Sequence, residues 1–425
     1  MSVNAWRGDH PLDGFESKSE HVTMSISAEQ ISTEPITRQV ARLFLCGDVM
    51  TGRGIDQILP HPCDPLLHES YVKSARDYIR LAEQVNGRIP RAVKFSYVWG
   101  AALQELTRAQ PDVRIINLET SITRRGAFVP KGINYRMSPE NAVCLVSADI
   151  DCCVLANNHI FDWGLAGLVD TLESLERLRI ESAGAGLDID QASAPAVLDL
   201  SGGGRILVFS VALVTSGVPV SWAARSETPG VCLLTDLSDA SVARIAGRVG
   251  RLRRTGDVVV LSIHWGPNWG FEIPEEHRRF AHELIDNAGV SIVHGHSSHH
   301  PIAIEVYRNR LILYGCGDFL NDYEGISGYE EFLDDLTLMY FASVDLTSGN
   351  LLELDMMPLQ MQRFQLVYAP SEDFDLLMET LDRESRKFGT RIIRKPDGRL
   401  ALSWPHDQAE RRLESALHES SSPQG

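Results

Sequence analysis

An α/β fold is predicted for this chain, and three observations predict it. Short apolar runs suited to buried strands alternate with segments of helical periodicity. Five of those runs end in polar motifs: LFLCGDVM (43–50), IINLET (115–120), VLANNHIFD (154–162), LSIHWG (261–266) and VHGHSSHH (293–300). From residue 302 the pattern changes to adjacent strands. An α/β half followed by antiparallel strands implies two packed sheets flanked by helices.

The elements follow in order. Residues 42–46 form a buried strand by their apolar run, and 71–85 carry the spacing of a helix. Short buried strands are expected at 113–117 and 152–155. Leu165, Leu168, Val169, Leu172, Leu175 and Leu178 recur at helical spacing directly after the NNH motif. Strands at 205–211 and 258–263 precede a helix at 275–287, which Gly289 ends, and then a strand at 290–293. A polar turn between 302–307 and 311–314 predicts a hairpin, and 338–344 and 351–357 read as neighbouring strands. A late helix spans 371–388, with Ser371 as N-cap, acids in its first turn and Gly389 after its end. The three glycines at 202–204 make a turn; they lack the spacing and lysine of a phosphate-binding loop.

Length and composition bound the function. The 425 residues allow one large or two ordinary domains, and 44 % apolar residues supply a core. The expected division is a polar leader (1–38), a catalytic domain (39–365) and a C-terminal helix with a charged tail (366–425). A net charge of −17 argues against nucleic acid and against anionic membrane surfaces as partners. No apolar run approaches the ~20 residues that span a bilayer, and no signal-peptide core is visible. The seven cysteines show no paired spacing, and Cys152 and Cys153 sit inside an apolar run. These features predict a cytoplasmic protein with reduced thiols and no membrane insertion.

A strand that stops at Asp, Glu, Asn or His puts that side chain on the carboxyl edge of a sheet, where open α/β folds build their sites. Asp48, Glu119, Asn158, His264 and His296 are thus candidate metal ligands. His159, which Asp162 three residues on would orient, and His296, His299 and Asp318 are candidates for acid/base work. Asn158 also suits a turn, and Asp162 a helix cap. His294 and His300 read as supporting or exposed residues. Arg53 and Arg136 are candidates for holding a carboxylate, and Trp265 and Trp269 for an aromatic wall, which core packing explains equally well. Oxygen and imidazole donors without cysteine suit a divalent cation such as Ca, Mn, Fe or Zn.

At these residues the chain resembles the CapA family of poly-γ-glutamate capsule synthesis, within the calcineurin-like metallophosphoesterase superfamily. The matching stretches are GDVMTGRG, INLET, ANNHIFDWG, HWGPNWG, HGHSSHHP, IEVY and YGCGDF, spanning residues 42–320. The resemblance implies a four-layer α/β/β/α sandwich. It implies a bridging acid at Glu119, the asparagine–histidine pair at Asn158 and His159, a metal-binding histidine at His264 and the final pair at His296 and His299. The superfamily's first motif has a histidine two residues after its acid; here that position is Met50. The lost ligand weakens a two-metal mechanism and implies one divalent ion per site. The GHSSHHP form is similar to a soluble branch that includes poly-amino-acid accessory proteins and epimerases of lasso-peptide precursors.

Three functions follow as expectations. The leading one is metal-dependent acid/base catalysis on a peptide, namely epimerisation at a Cα, which needs proton-active groups on opposite faces of the carbon. Metal-dependent hydrolysis of a phosphoester or peptide-like bond is the second. An accessory role in making polyglutamate or polyglutamine is the third.

Overall fold

A computed structural model describes residues 39–405; the expected leader and the tail from 406 lie outside the described residues. Two mixed sheets stack face to face. In the first, Val40–Val49 lies parallel to Val113–Leu118, and Cys152–Val154 and Glu181–Ala183 continue in that direction. On its other side Leu336–Asp345 and Leu351–Gln362 pair antiparallel. In the second sheet Arg205–Leu213, Asp257–His264, Ile292–His296 and Arg310–Leu313 run parallel.

Period-two alternation decides which side of each strand meets which layer. Leu43, Leu45, Val113 and Ile115 of the first sheet face Val208, Val258, Val260 and Ile292 of the second, making the central core. Phe44 and Ile116 point the other way, against Tyr78, Ile79 and Leu106 of helices Ala75–Asn86 and Ala101–Ala109. Leu207, Val259 and Leu261 pack on Val242, Phe280 and Leu284 of helices Asp239–Leu252 and Glu275–Ala288. The result is the four-layer sandwich that the resemblance implied.

Several boundaries differ from the sequence reading, each for a local reason. The helix expected from residue 71 starts at Ala75, because Ser74 caps it by accepting from the Arg76 amide at 3.3 Å. Ser371 is the first helical residue rather than the cap; Pro370 holds that position, and no side chain caps the end. The strand expected at 290–293 is Ile292–His296, because the Val290 amide still closes the preceding helix by donating to the Leu284 carbonyl at 3.2 Å. The hairpin is present as Ile304–Tyr307 and Arg310–Leu313, turned by Arg308 and Asn309, both at positive φ. Among the strands that went unread, Arg391–Arg394 and Leu400–Ser403 extend the first sheet through pairing of Ala401 with Asp355. Residues 391–403 are therefore part of the sandwich and not a simple helix-plus-tail appendage.

One close approach positions the site. The short strand Asp318–Leu320 runs parallel to the end of the first strand, with Asp48 opposite Asp318 on one side and Asn117 on the other. The Asp48 amide donates to the Gly317 carbonyl at 3.0 Å. This contact requires Gly47: a Cβ there would lie 1.6 Å from the Gly317 oxygen. Gly47→Ala is therefore expected to destabilise the protein by about 2–3 kcal/mol, typical of overpacking a rigid contact. Urea unfolding checks this; an unchanged midpoint would contradict the packing described.

Candidate metal centre

The carboxyl ends of both sheets converge on one buried cluster. Asp48 and Glu119 come from the first sheet, and His264 and His296, opposite each other on adjacent strands, from the second. Asp318 arrives beside Asp48. Ligand atoms of Asp48, Glu119 and His264 lie within 4.8 Å of one another, as do those of Asp48, His299 and Asp318. Glu119 Oε1 stands 3.7 Å from His159 Nε2 and 4.0 Å from His264 Nε2. His296 Nδ1 lies 3.3 Å from Asp48 Oδ1.

Three buried carboxylates in one cluster repel, and their proton affinities show it. Burial, reinforced by Asp48 and Asp318, pushes Glu119 well above the usual carboxylate range. Burial and the neighbouring Asp48 charge raise Asp318 to about 6, against the opposing pull of His299. Burial also acts against ionised Asp48, but the hydrogen bond from His296 and the nearby His264 outweigh it and hold Asp48 below its ordinary value. Burial lowers His264 to about 3.

The donor set fits a divalent cation. Among the described residues, Asp48 Oδ2, Asn158 Oδ1, His264 Nδ1 and His296 Nε2 are buried without a hydrogen-bond partner. Buried polar atoms are seldom left unpaired in native proteins. Ligand atoms of Asp48, Glu119 and His264, from three separated segments, come together here, and oxygen and imidazole donors in one cluster suit a divalent cation.

Two histidine–carboxylate pairs flank the cluster. His159 Nδ1 lies 2.7 Å from Asp162 Oδ2 and 3.1 Å from the Lys131 ammonium, and Nε2 points toward Glu119. Asp162 does not cap a helix; Trp163 precedes the helix Gly164–Leu178, and Asp162 instead accepts from the Tyr135 amide at 2.6 Å. Burial lowers His159 to about 4, so it is a neutral base at pH 7. On the other flank His299 Nδ1 lies 2.7 Å from Asp318 Oδ1. Burial opposes the charged imidazole there, yet the Asp318 charge wins and raises His299 above its ordinary value.

Other expected residues fall elsewhere. Arg53 is buried and its guanidinium is committed to Asp322 and to Glu69 at 3.1 Å, so it holds local structure rather than a substrate carboxylate. Arg136 lies over the Trp163 ring at 3.7 Å, away from the cluster. Trp265 is a core residue, stacked on His277 at 4.4 Å with its indole N–H on the Tyr314 carbonyl. Trp269 does reach the site, 5.2 Å from His299 and stacked on Tyr329 at 4.1 Å. His294 and His300 are both buried; His294 Nε2 donates to the Cys46 carbonyl at 2.8 Å, and His300 Nε2 accepts from the Gly270 amide at 3.1 Å.

Sequence reasoning missed four residues that shape the site. Asn117, inside the INLET motif, donates to Asp48 Oδ1 at 2.7 Å and to Glu119 Oε2 at 3.2 Å. Asn268 lies 3.0 Å from His299 Nε2, and Asn321 donates to Asp318 Oδ2 at 3.0 Å. Lys131, on an irregular loop, sets its ammonium 2.8 Å from Asp162 Oδ1. The asparagines stood inside or beside the quoted motifs; Lys131 carried no periodic or motif signal.

A family model, "Bacterial capsule synthesis protein PGA_cap", matches residues 42–323, which contain every residue of the cluster. The chain belongs to the PGA_cap family. Its relatives include a "probable polyglutamine synthesis accessory protein" of Mycobacterium tuberculosis, 48 % identical over 365 residues, covering 85 % of this chain and 96 % of that protein. The "PGA biosynthesis protein CapA" of Bacillus subtilis is 24 % identical, covering 68 % of this chain and 72 % of that protein. Among solved structures, a phosphatase of Mycoplasma pneumoniae aligns over 76 % of this chain and 94 % of its own, at 12 % identity and a TM-score of 0.42. Within the described residues of this PGA_cap protein no helix is long and apolar enough to cross a membrane. All seven cysteines are buried and unpaired.

A cation bound only by the folded state must stabilise it. A divalent ion at about 100 times its Kd is expected to add about 2.7 kcal/mol, seen as a rise in Tm that chelation reverses. His264→Ala should abolish the rise. Equal responses of the two proteins across Mn, Zn, Ca and Fe would contradict the site.

Proposed function

We propose that this protein is an accessory factor of poly-amino-acid synthesis that hydrolyses a peptide-like linkage of the polymer at the Asp48–Glu119–His264–His296 cluster. The observation that carries the reading is the pair of histidine–carboxylate couples on the two flanks of the cluster. Their environments push them in opposite directions, His159 toward the neutral base and His299 toward the protonated acid. Groups driven apart in this way divide acid and base roles. His159 Nε2 takes a proton from attacking water, while Asp162 and Lys131 hold the ring in place. The His299–Asp318 couple gives a proton to the departing amine. A divalent ion, when bound, supplies polarisation of the carbonyl and a more acidic water.

The accessory context is supported by the 48 % identical mycobacterial relative and by the family's name. The sequence alone favoured Cα epimerisation, and the comparisons lend that reading no support. One observation keeps it as a second reading: two proton-active couples flanking one site also suit removal and return of a Cα proton.

Incubating metal-loaded protein with polyglutamine and poly-γ-glutamate oligomers in D₂O tests both. The proposal expects shortened chains by mass spectrometry, with His159→Ala slower by about 10²–10⁴-fold, the usual contribution of a positioned base. Deuterium at Cα without chain cleavage would replace it by the second reading. Neither product from either polymer would overturn both.

A further inference from the structure

A cavity of about 390 Å³, within the size range of small-ligand sites, lies one residue beyond the His299–Asp318 couple. Asn321, which donates to Asp318, lines it, as does Tyr323, whose ring lies 5.7 Å from His299. Glu330, also in its lining, follows Tyr329, which stacks on Trp269.

The charge on the lining is one-sided. Glu324, Glu330, Asp334 and Asp335 all contribute, and no lysine, arginine or histidine does. Two of the four are held in place by hydrogen bonds. Glu324 accepts from the Arg363 and Phe364 amides at 2.7 and 2.6 Å, and Glu330 from the Gly328 amide at 3.0 Å. Lys131, the half-buried ammonium at the cluster, belongs to the opposite flank and is already bound to Asp162. The remaining wall is apolar, from Val85, Ile326, Leu333 and Met361. A carboxylate placed here meets like charge, and no basic side chain of the lining offsets it. A primary amide meets acceptors for both of its N–H groups and an apolar surface for its methylenes.

We propose that this cavity is a substrate subsite that accepts a residue bearing an uncharged primary amide and rejects one bearing a carboxylate. The proposal rests on the poly-amino-acid reading above and selects the glutamine form of the polymer over the glutamate form.

Calorimetric titration of the full chain with a glutamine hexamer and a glutamate hexamer of the same linkage tests it. The amide hexamer is expected to bind at least tenfold more tightly at low salt. The preference should fall below threefold in the double variant Glu330→Gln, Asp334→Asn, and should shrink as salt screens the walls. A thermal melt on the variant establishes that it is folded; Asp334→Asn alone serves if the double variant is not. Equal or tighter binding of the glutamate hexamer overturns this proposal and leaves the proposed function standing, as does a preference that the variants do not change. Binding of neither hexamer overturns both.

Discussion

The structure depends on holding three carboxylates together in the dark. Asp48, Glu119 and Asp318 are each at most 2 % exposed, on the meeting edge of two sheets. Buried like charges are among the most costly arrangements a fold can contain. Here the cost is offset in layers. Asn117 donates to two of the acids, His296 and His299 each lean on one, and Asn321 and Lys131 brace the periphery. What remains is a set of oxygen and imidazole atoms that suits a divalent cation. The Gly47–Gly317 contact, the register of Asp48 with Asp318 and the alignment of His264 with His296 all place these groups.

This explains why the site is built from strand ends. Parallel strands deliver their carboxyl termini to one edge, and the hydrogen-bonded ladder fixes each side chain within the spacing of a neighbouring strand. A site with several donors from distant segments needs such rigid delivery. The loops then add what must be asymmetric: Lys131 on the His159 flank, and Trp269, Tyr329 and the acidic segment after Tyr323 on the His299 flank.

Much of this was legible before any coordinates. Apolar runs ending in Asp, Glu, Asn or His pointed to both the α/β class and the buried cluster of acids and histidines, because a buried strand and a functional edge leave the same signature. The limits were equally physical. Arg53 looked like a carboxylate anchor because sequence shows a charge but not its partners, and Glu69 and Asp322 are 16 and 269 positions away. Trp265 and Trp269 sit in one motif, yet one is core and the other lines the site, a distinction set by long-range packing. Lys131 lies on a loop with no periodicity. The strands Arg391–Arg394 and Leu400–Ser403 are short and flanked by charged residues, so their pairing is a tertiary decision.

The central claim is that a single cation organises Asp48, Glu119, His264 and His296. Anomalous diffraction at the absorption edge of the metal found in the purified protein tests it most directly. The account predicts one strong peak within bonding distance of a carboxylate oxygen of Asp48 and an imidazole nitrogen of His264. A fully ordered, metal-replete crystal with no peak in that cleft, or with its metal held by other residues, would contradict it.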